Sequence, residues 1–574
     1  MTSITKRNSW RSIQLAAVGL AVLACARPTA PAAKEAAPST APAPGPTAED
    51  TVTVAPVGQT SGPLIEVSLA NLSKTLHPYP DSASYTQSWG DAANLIWGAN
   101  GGGLLSYDWD TFTFMPAMAT GMPTISEDGR TYTFTLRDDL RWSDGTPVTV
   151  DDFSFAYDNA SKEENDFVGL DQVEEIESYT APDAHTLQVT LKYTKPLDLG
   201  YGIASLIGPV PKHIWENKPW NDPTANSEIL MPSVVLGPFT LQRYKIDEGA
   251  SFTPVDTFFL GKPKLPQYQI LPSAQPTVAY ESLLNGRANW APSIPPEQYA
   301  QAKAQPNLTV YEWEAANAPY RDVEFNLTRP FLSDHRVREA LARALNRDDI
   351  RDVAEQGLAV PAYSFIAQAN TKWLNPNVAR FDYDLDQSRT LLAEAGYTLQ
   401  NGNLVDSDGQ PVRLAVFYPT SSTPRAKIAA YMQQQYRELG ITLDVRGLDF
   451  NAYTDQVQKK KDFDLALGTW GGGAIDPDEN ARAQFITGGQ QNMTGYSNPR
   501  IDQLYQQGGR ELDEARRKQI YDQVQEEVVQ DLPVYFIYSP VSFSPATKQV
   551  QGIVPTASDQ LTSGNALLNW SVAG

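Results

Sequence analysis

Cysteine is almost absent from this chain of 574 residues: Cys25 stands alone. No disulfide can form within one molecule, and a zinc site built on several cysteines is excluded. Histidine is nearly as scarce. His77, His185, His213 and His335 are the only four, and no two have the HxxxH spacing that sets metal ligands on one helix face. No metal and no cofactor is expected. No GxSxG frames a nucleophilic serine, and no GxxxxGK[ST] loop is present to cradle a nucleotide phosphate. Positive charge is short as well. With 45 Lys and Arg against 67 Asp and Glu the net charge is -22. Nucleic acid is therefore not an expected partner, because phosphate neutralisation needs a basic face. Long apolar runs are missing too. The run Ile13–Ala24 falls short of the roughly 20 residues that span a bilayer.

What is present describes a globular protein. Hydrophobic residues make up 41% and charged residues 20%, and the length calls for two or three domains. Residues 1–25 read as a targeting segment. Lys6, Arg7 and Arg11 form a basic start, an apolar stretch follows, and it ends Val22-Leu23-Ala24-Cys25. That ending resembles the bacterial lipobox, in which the cysteine is lipidated and becomes the new N-terminus. Cleavage there would leave 42 basic against 67 acidic residues. Residues 26–63 are rich in Ala, Pro, Thr and Ser without hydrophobic periodicity, as in a semi-rigid tether.

One stretch organises the remainder: Phe463 to Glu479, FDLALGTWGGGAIDPDE. An apolar strand delivers Trp470 into Gly471, Gly472 and Gly473, and the chain leaves through Asp476-Pro477-Asp478. Glycines let a backbone approach a ligand closely, and a large flat ring gives contact area at low entropy cost. The segments before it read as a strand at Leu414–Tyr418, a helix from Thr423 to Leu439 stopped by Gly440, and a strand at Ile441–Val445. A short helix at Ala452–Lys459 and the strand Asp462–Trp470 follow. That is β-α-β-α-β, which implies parallel strands with crossover helices. Ligands in such sheets bind outside the carboxyl ends of the strands, where Trp470 and its glycines fall. Further helices are expected from Ser333 or Asp334 through Asn346, and from Asp384 or Asp386 to Gly396.

The run SEDGRTYTFTLRDDLRWSDGTPVTVDDFSFAY, from Ser126, resembles the signature region of the family 5 extracellular solute-binding proteins of ABC importers. Val210-Pro211-Lys212-His213-Ile214-Trp215, Leu236-Gly237-Pro238-Phe239, Phe259 to Leu265, and Val323 to Leu341 are similar to other family segments in the same order. The resemblance covers roughly residues 63 to 550 and implies an α/β, two-lobed periplasmic-binding-protein-like fold of type II. Residues 64–105, 236–320 and 538–574 would form lobe I, 106–235 an extra subdomain, and 321–537 lobe II. A hinge of two crossing strands would run through Phe325, Asn326, Val534 and Tyr535. The implied role is extracytoplasmic capture of a solute, by a monomer held on the outer face of the cytoplasmic membrane through Cys25. Delivery would be to permease and ATPase subunits, with no enzymatic step.

For ligand contact the stretch offers Trp470, Gly471, Gly472, Gly473 and Asp476, joined by Trp89 and Trp97; Trp109 and Trp290 are further aromatic platforms. In peptide binders of the family an aspartate three residues after the cleft tryptophan pairs with the ligand's α-amine. Gly473 stands there in this chain. Two ligand classes follow: peptides held through main-chain hydrogen bonds, and neutral oligosaccharides stacked on aromatic rings. Two other readings remain open on residues alone. One is a glycoside hydrolase using Asp476 with Asp478, or Glu127 with Asp128. The other is a surface ligand carrier without transport.

Overall fold

The computed structural model describes residues 62–574 apart from 69–71, 82–88, 99–102, 205, 274, 472–475, 559, 563–565 and 574. The expected targeting segment with Cys25, nearly all of the tether, and Gly472 and Gly473 lie outside the described residues, as does the side chain of Trp89.

Three sheets carry the chain. In the first, Leu64–Ser68 lies parallel to Tyr268–Pro272, and Gly249–Pro254 and Phe239–Lys245 follow antiparallel. Trp290 bridges Glu66 to Ala546. It thereby extends this layer to the antiparallel pair Leu308–Trp313 and Ser542–Thr547. Phe239, Phe252, Ile270, Trp290 and Trp570 fill its core. The second sheet is antiparallel, in the order Thr124–Ile125, Thr131–Thr135, Thr186–Leu191, Ile176–Asp183. Tyr132 and Phe134 alternate inward against Trp142, Leu187 and Val189. The helix Val150–Ala160 packs beside it. Its start is set where Asp152 Oδ2 accepts the Thr149 amide at 3.0 Å, satisfying one of the orphan donors of a helix N-terminus.

The third sheet has six strands in the order Ala359–Pro361, Val534–Pro540, Tyr320–Phe325, Leu465–Trp470, Arg413–Pro419, Thr442–Leu448. The last three are parallel, as β-α-β-α-β requires. The crossover helix Thr423–Glu438 ends in a Schellman turn: Ile441 N–H bonds Tyr436 O and Gly440 N–H bonds Arg437 O, both at 2.9 Å. Gly440 sits at φ +77°, where an added Cβ would also come within 2.6 Å of Leu404 N, so glycine is required twice over. The second crossover is Phe450–Tyr453 continued by a π-turn over Thr454–Lys459, two residues earlier than the sequence indicated. Leu465–Trp470 is buried between two cores. Leu465 and Leu467 face Val416, Ile428 and Tyr535, while Ala466 faces Phe417, Tyr453 and Val457.

The strands expected to form a hinge do pair, Val323 with Tyr535 and Glu324 with Val534. Phe325, Asn326, Val534 and Tyr535 are nevertheless inside the second lobe. All four are buried, and Asn326 Nδ2 donates to Phe463 O at 2.8 Å. The chain passes between layers at the other end of these strands. Residues 314–319 separate Leu308–Trp313 from Tyr320–Phe325, and Val541 alone separates Val534–Pro540 from Ser542–Thr547. The crossings therefore stand at the edge where Leu465–Trp470 ends, and that edge faces the first layer.

Candidate functional site

At this edge each side chain is placed by strand register. Tyr320 lies opposite Trp470, Asp322 opposite Gly468, and Glu324 opposite Ala466. Side chains directly opposite share one face, so two carboxylates lie on the face that carries Trp470. The indole folds back over its own strand, and its Nε1 donates to Glu324 Oε1 at 2.8 Å. Gly468 makes this arrangement possible. A Cβ there would overlap Asp322 Oδ1 and come within 2.9 Å of Trp470 Nε1.

Arginines surround the pair without bonding to it. Arg425, at the start of Thr423–Glu438, donates from Nη1 to Leu467 O at 3.3 Å. Arg321, on the opposite face, donates to Thr469 Oγ1 at 2.9 Å and lies 4.0 Å from Glu355. The Tyr538 hydroxyl also donates to Glu355 Oε1, at 2.9 Å. Burial raises the Asp322 pKa well above the carboxylate range, with the Glu324 charge adding to the effect. Burial pushes Glu324 up to about 7, against the Trp470 hydrogen bond and Arg425, which favour the anion.

The sign for stability follows. A carboxyl whose folded pKa exceeds its unfolded one stabilises the fold fully below the unfolded value, and that contribution is lost as pH rises through the folded value. For Glu324 the window runs from its ordinary 4.5 to about 7. The ligand-free protein is expected to lose melting temperature across that window, and Glu324→Gln to flatten the slope in scanning calorimetry at stepped pH. An unchanged slope would mean that Glu324 does not titrate there.

Asp476 does not reach this edge. It is 1% exposed, and both its oxygens accept from Arg517, at 2.5 and 2.8 Å. Its expected ligand role is corrected to an internal ion pair. Asp478 is buried beside it and accepts the Tyr521 hydroxyl. Trp97 is also reassigned. Its Nε1 donates to Leu76 O at 2.8 Å, and its ring packs into the cores of the first two sheets. Trp290 is a core residue, with Nε1 on Ser544 Oγ and its ring edge-on to Trp570. Trp109 stays half-buried against Tyr107. Gly471 is exposed, directly after Trp470.

The layers meet through charge. Lys372 Nζ lies 3.2 Å from Asp198 on the helix Leu197–Ala204 and 3.0 Å from Glu514. Lys427 lies 3.1 Å from Glu297 on the helix Pro296–Lys303. A cavity of about 630 Å³ opens between Tyr193 and Lys195 on one side and Asp478, Arg482 and Arg510 on the other. That is the size of a small-molecule site. Sequence reasoning missed Arg321, Asp322, Glu324, Lys372 and Arg425. A signal did exist for the acids: Asp322 and Glu324 stand two residues apart in the strand Tyr320–Phe325, which places both on one face.

Comparison with known proteins places this architecture. The family profile described as bacterial extracellular solute-binding proteins, family 5 Middle, matches residues 113–492. A probable ABC transporter-binding protein of Deinococcus radiodurans is 26% identical over 86% of this chain and 89% of its own length. The dipeptide-binding protein of Escherichia coli is 26% identical over 75% of this chain and 82% of its own. Among solved structures, the ABC transporter substrate-binding protein CtaP of Listeria monocytogenes superposes with a TM-score of 0.76. It is 25% identical and covers 90% of this chain and 100% of its own. The chain belongs to the family 5 bacterial extracellular solute-binding proteins.

Proposed function

We propose that this protein captures peptides between its two lobes and delivers them to the permease and ATPase subunits of an ABC importer. The observation that carries this reading is the strand edge at Trp470. A half-buried indole, an exposed glycine and a set of buried charges stand where the chain crosses between lobes. A ligand touching both sides there favours the closed state through its differential affinity for it. The similarity to a dipeptide-binding protein along most of the chain supports peptide as the ligand class.

Trp470 with Gly471, Gly472 and Gly473 forms the proposed contact surface, and Trp89 remains a proposed contributor. The anchor is Cys25, which holds a monomer on the outer face of the cytoplasmic membrane. No helix among the described residues is long and apolar enough to cross a membrane. Binding without turnover is supported by the carboxylates themselves. Asp476 is held by Arg517 and Asp478 by Tyr521, and Asp128 accepts from Ser126 Oγ and the Arg130 amide in a hairpin turn.

Residues 62–574, expressed without the anchor, test this directly. Native and denaturing mass spectra of freshly purified protein should show co-purified masses differing by amino-acid residues. A ladder of hexose spacings would replace peptide by oligosaccharide, and turnover of a fluorogenic glycoside would overturn a binding role.

A further inference from the structure

The fold leaves the burial of Asp322 and Glu324 unexplained. Asp322 is 1% exposed and Glu324 3% exposed. Neither oxygen of Asp322 has a partner in full hydrogen-bond geometry among the described residues, the nearby Gly468 amide only favouring its charge, nor has Glu324 Oε2. Buried carboxylate oxygens without partners are strongly unfavourable, and here three converge on one side of one strand. The neighbouring bases do not relieve them. Arg425 hydrogen-bonds a main-chain carbonyl and its Nε is itself unpartnered. Tyr453, on the helix packed over this face, gives its hydroxyl to Leu467 O, and the Tyr320 hydroxyl goes to Gln484. The Asp322 carboxylate fills the space that a side chain at Gly468 would take, and Trp470 Nε1 borders the same space at the edge of the sheet.

We propose that Asp322 and Glu324 form a seat for a cationic group of the ligand, a primary ammonium, entering beside Trp470. The inference rests on the peptide reading, which it deepens by naming the ligand's charge. A primary ammonium has three N–H donors, the number of unpartnered acceptors present. An indole wall favours an organic cation through its ring quadrupole. A metal ion fits less well, since no cluster of three or more His, Cys, Asp or Glu side chains among the described residues is placed to hold one. Ligand charge would then satisfy what the fold leaves open, and the ligand-free seat would hold a proton instead. Binding should strengthen as pH rises toward 8, because the cation and the proton compete for the same carboxylates. Arg425, Tyr453 and Tyr320 face them and Arg321 acts on Asp322 from the same strand, and the ordinary pKa values of arginine and tyrosine lie above that range.

The test uses residues 62–574 and a tryptic peptide digest, offered once with free amines and once after acetylation. Wild type should retain the free-amine digest at least about tenfold more strongly, and Asp322→Asn with Glu324→Gln should erase that preference. Both substitutions keep shape and leave Trp470 an acceptor. The ligand-free double variant should melt no lower than wild type at pH 8, which separates lost recognition from lost folding. Equal retention of both digests by wild type would overturn the ammonium seat while leaving a peptide binder. If neither digest is retained, the peptide reading fails. Cadaverine then decides the seat: a rise in wild-type melting temperature that the double variant lacks would uphold it, and no rise would overturn it.

Discussion

Replacing Arg517 with methionine is expected to destabilise the second lobe by about 3–5 kcal/mol, the usual cost of breaking a buried ion pair from one side. The Arg517 and Asp476 side chains are 2% and 1% exposed. The guanidinium also donates from Nε to Gly508 O at 2.8 Å and lies 5.2 and 5.0 Å from the rings of Trp373 and Tyr521. Methionine would fill much of that volume, but it would strand the buried Asp476 carboxylate without its partner. Asp476 also accepts the Asp478 amide at 2.8 Å, so the turn after the glycines is organised around the same carboxylate. Urea unfolding followed by calorimetry and by tryptophan emission would measure the loss. The double variant Asp476→Leu, Arg517→Met should recover much of it, because removing both charges also removes their desolvation cost. Equal losses for the single and double variants would show that geometry rather than stranded charge is responsible.

This pair also shows what was legible in the sequence and what was not. Helices and parallel strands around Trp470 are written in local signals: Gly440 as a left-handed stop, apolar strands of about six residues, and capping by Asp334 and Asp384. Those signals act over a few residues, so a single chain displays them. Asp476 looked like a ligand contact because a DPD turn beside glycines is a common site composition. Its partner lies on a helix 41 residues later, and nothing local announces which residue will meet it. The hinge was displaced for a related reason. A run such as Val534–Pro540 reads as apolar throughout, and only the sheet shows which end leaves the lobe. Trp97 and Trp290 have the composition of binding platforms, yet each spends its indole donor on an internal acceptor. Asp322 and Glu324 were visible as letters, but their importance comes from being unpartnered, which is a property of three dimensions.

Lys372→Met is expected to shift the protein toward an open form and to weaken ligand affinity by about tenfold or more. The Lys372 and Asp198 side chains are 14% and 8% exposed, on opposite sides of the lobe contact. Burial already raises the Asp198 pKa, and Lys372 is the main group opposing that rise. Without the lysine, closure would bury Asp198 unpaired, near the Tyr107 hydroxyl, which itself has no hydrogen-bond partner among the described residues. The lobes can escape that cost by separating and rehydrating the carboxylate. The loss therefore appears as a smaller closed population, and apparent affinity falls in proportion to that population. Glu514 adds little, since its side chain is 68% exposed. Lys427→Met is the internal control. That ion pair with Glu297 is 28% and 51% exposed and should contribute under about 1 kcal/mol. Small-angle scattering of the ligand-free proteins should show a larger radius of gyration for Lys372→Met than for Lys427→Met, with saturating ligand returning both to the wild-type value. If Lys372→Met leaves the radius and the affinity unchanged, closure is driven by the ligand alone and the Asp198 contact merely follows it.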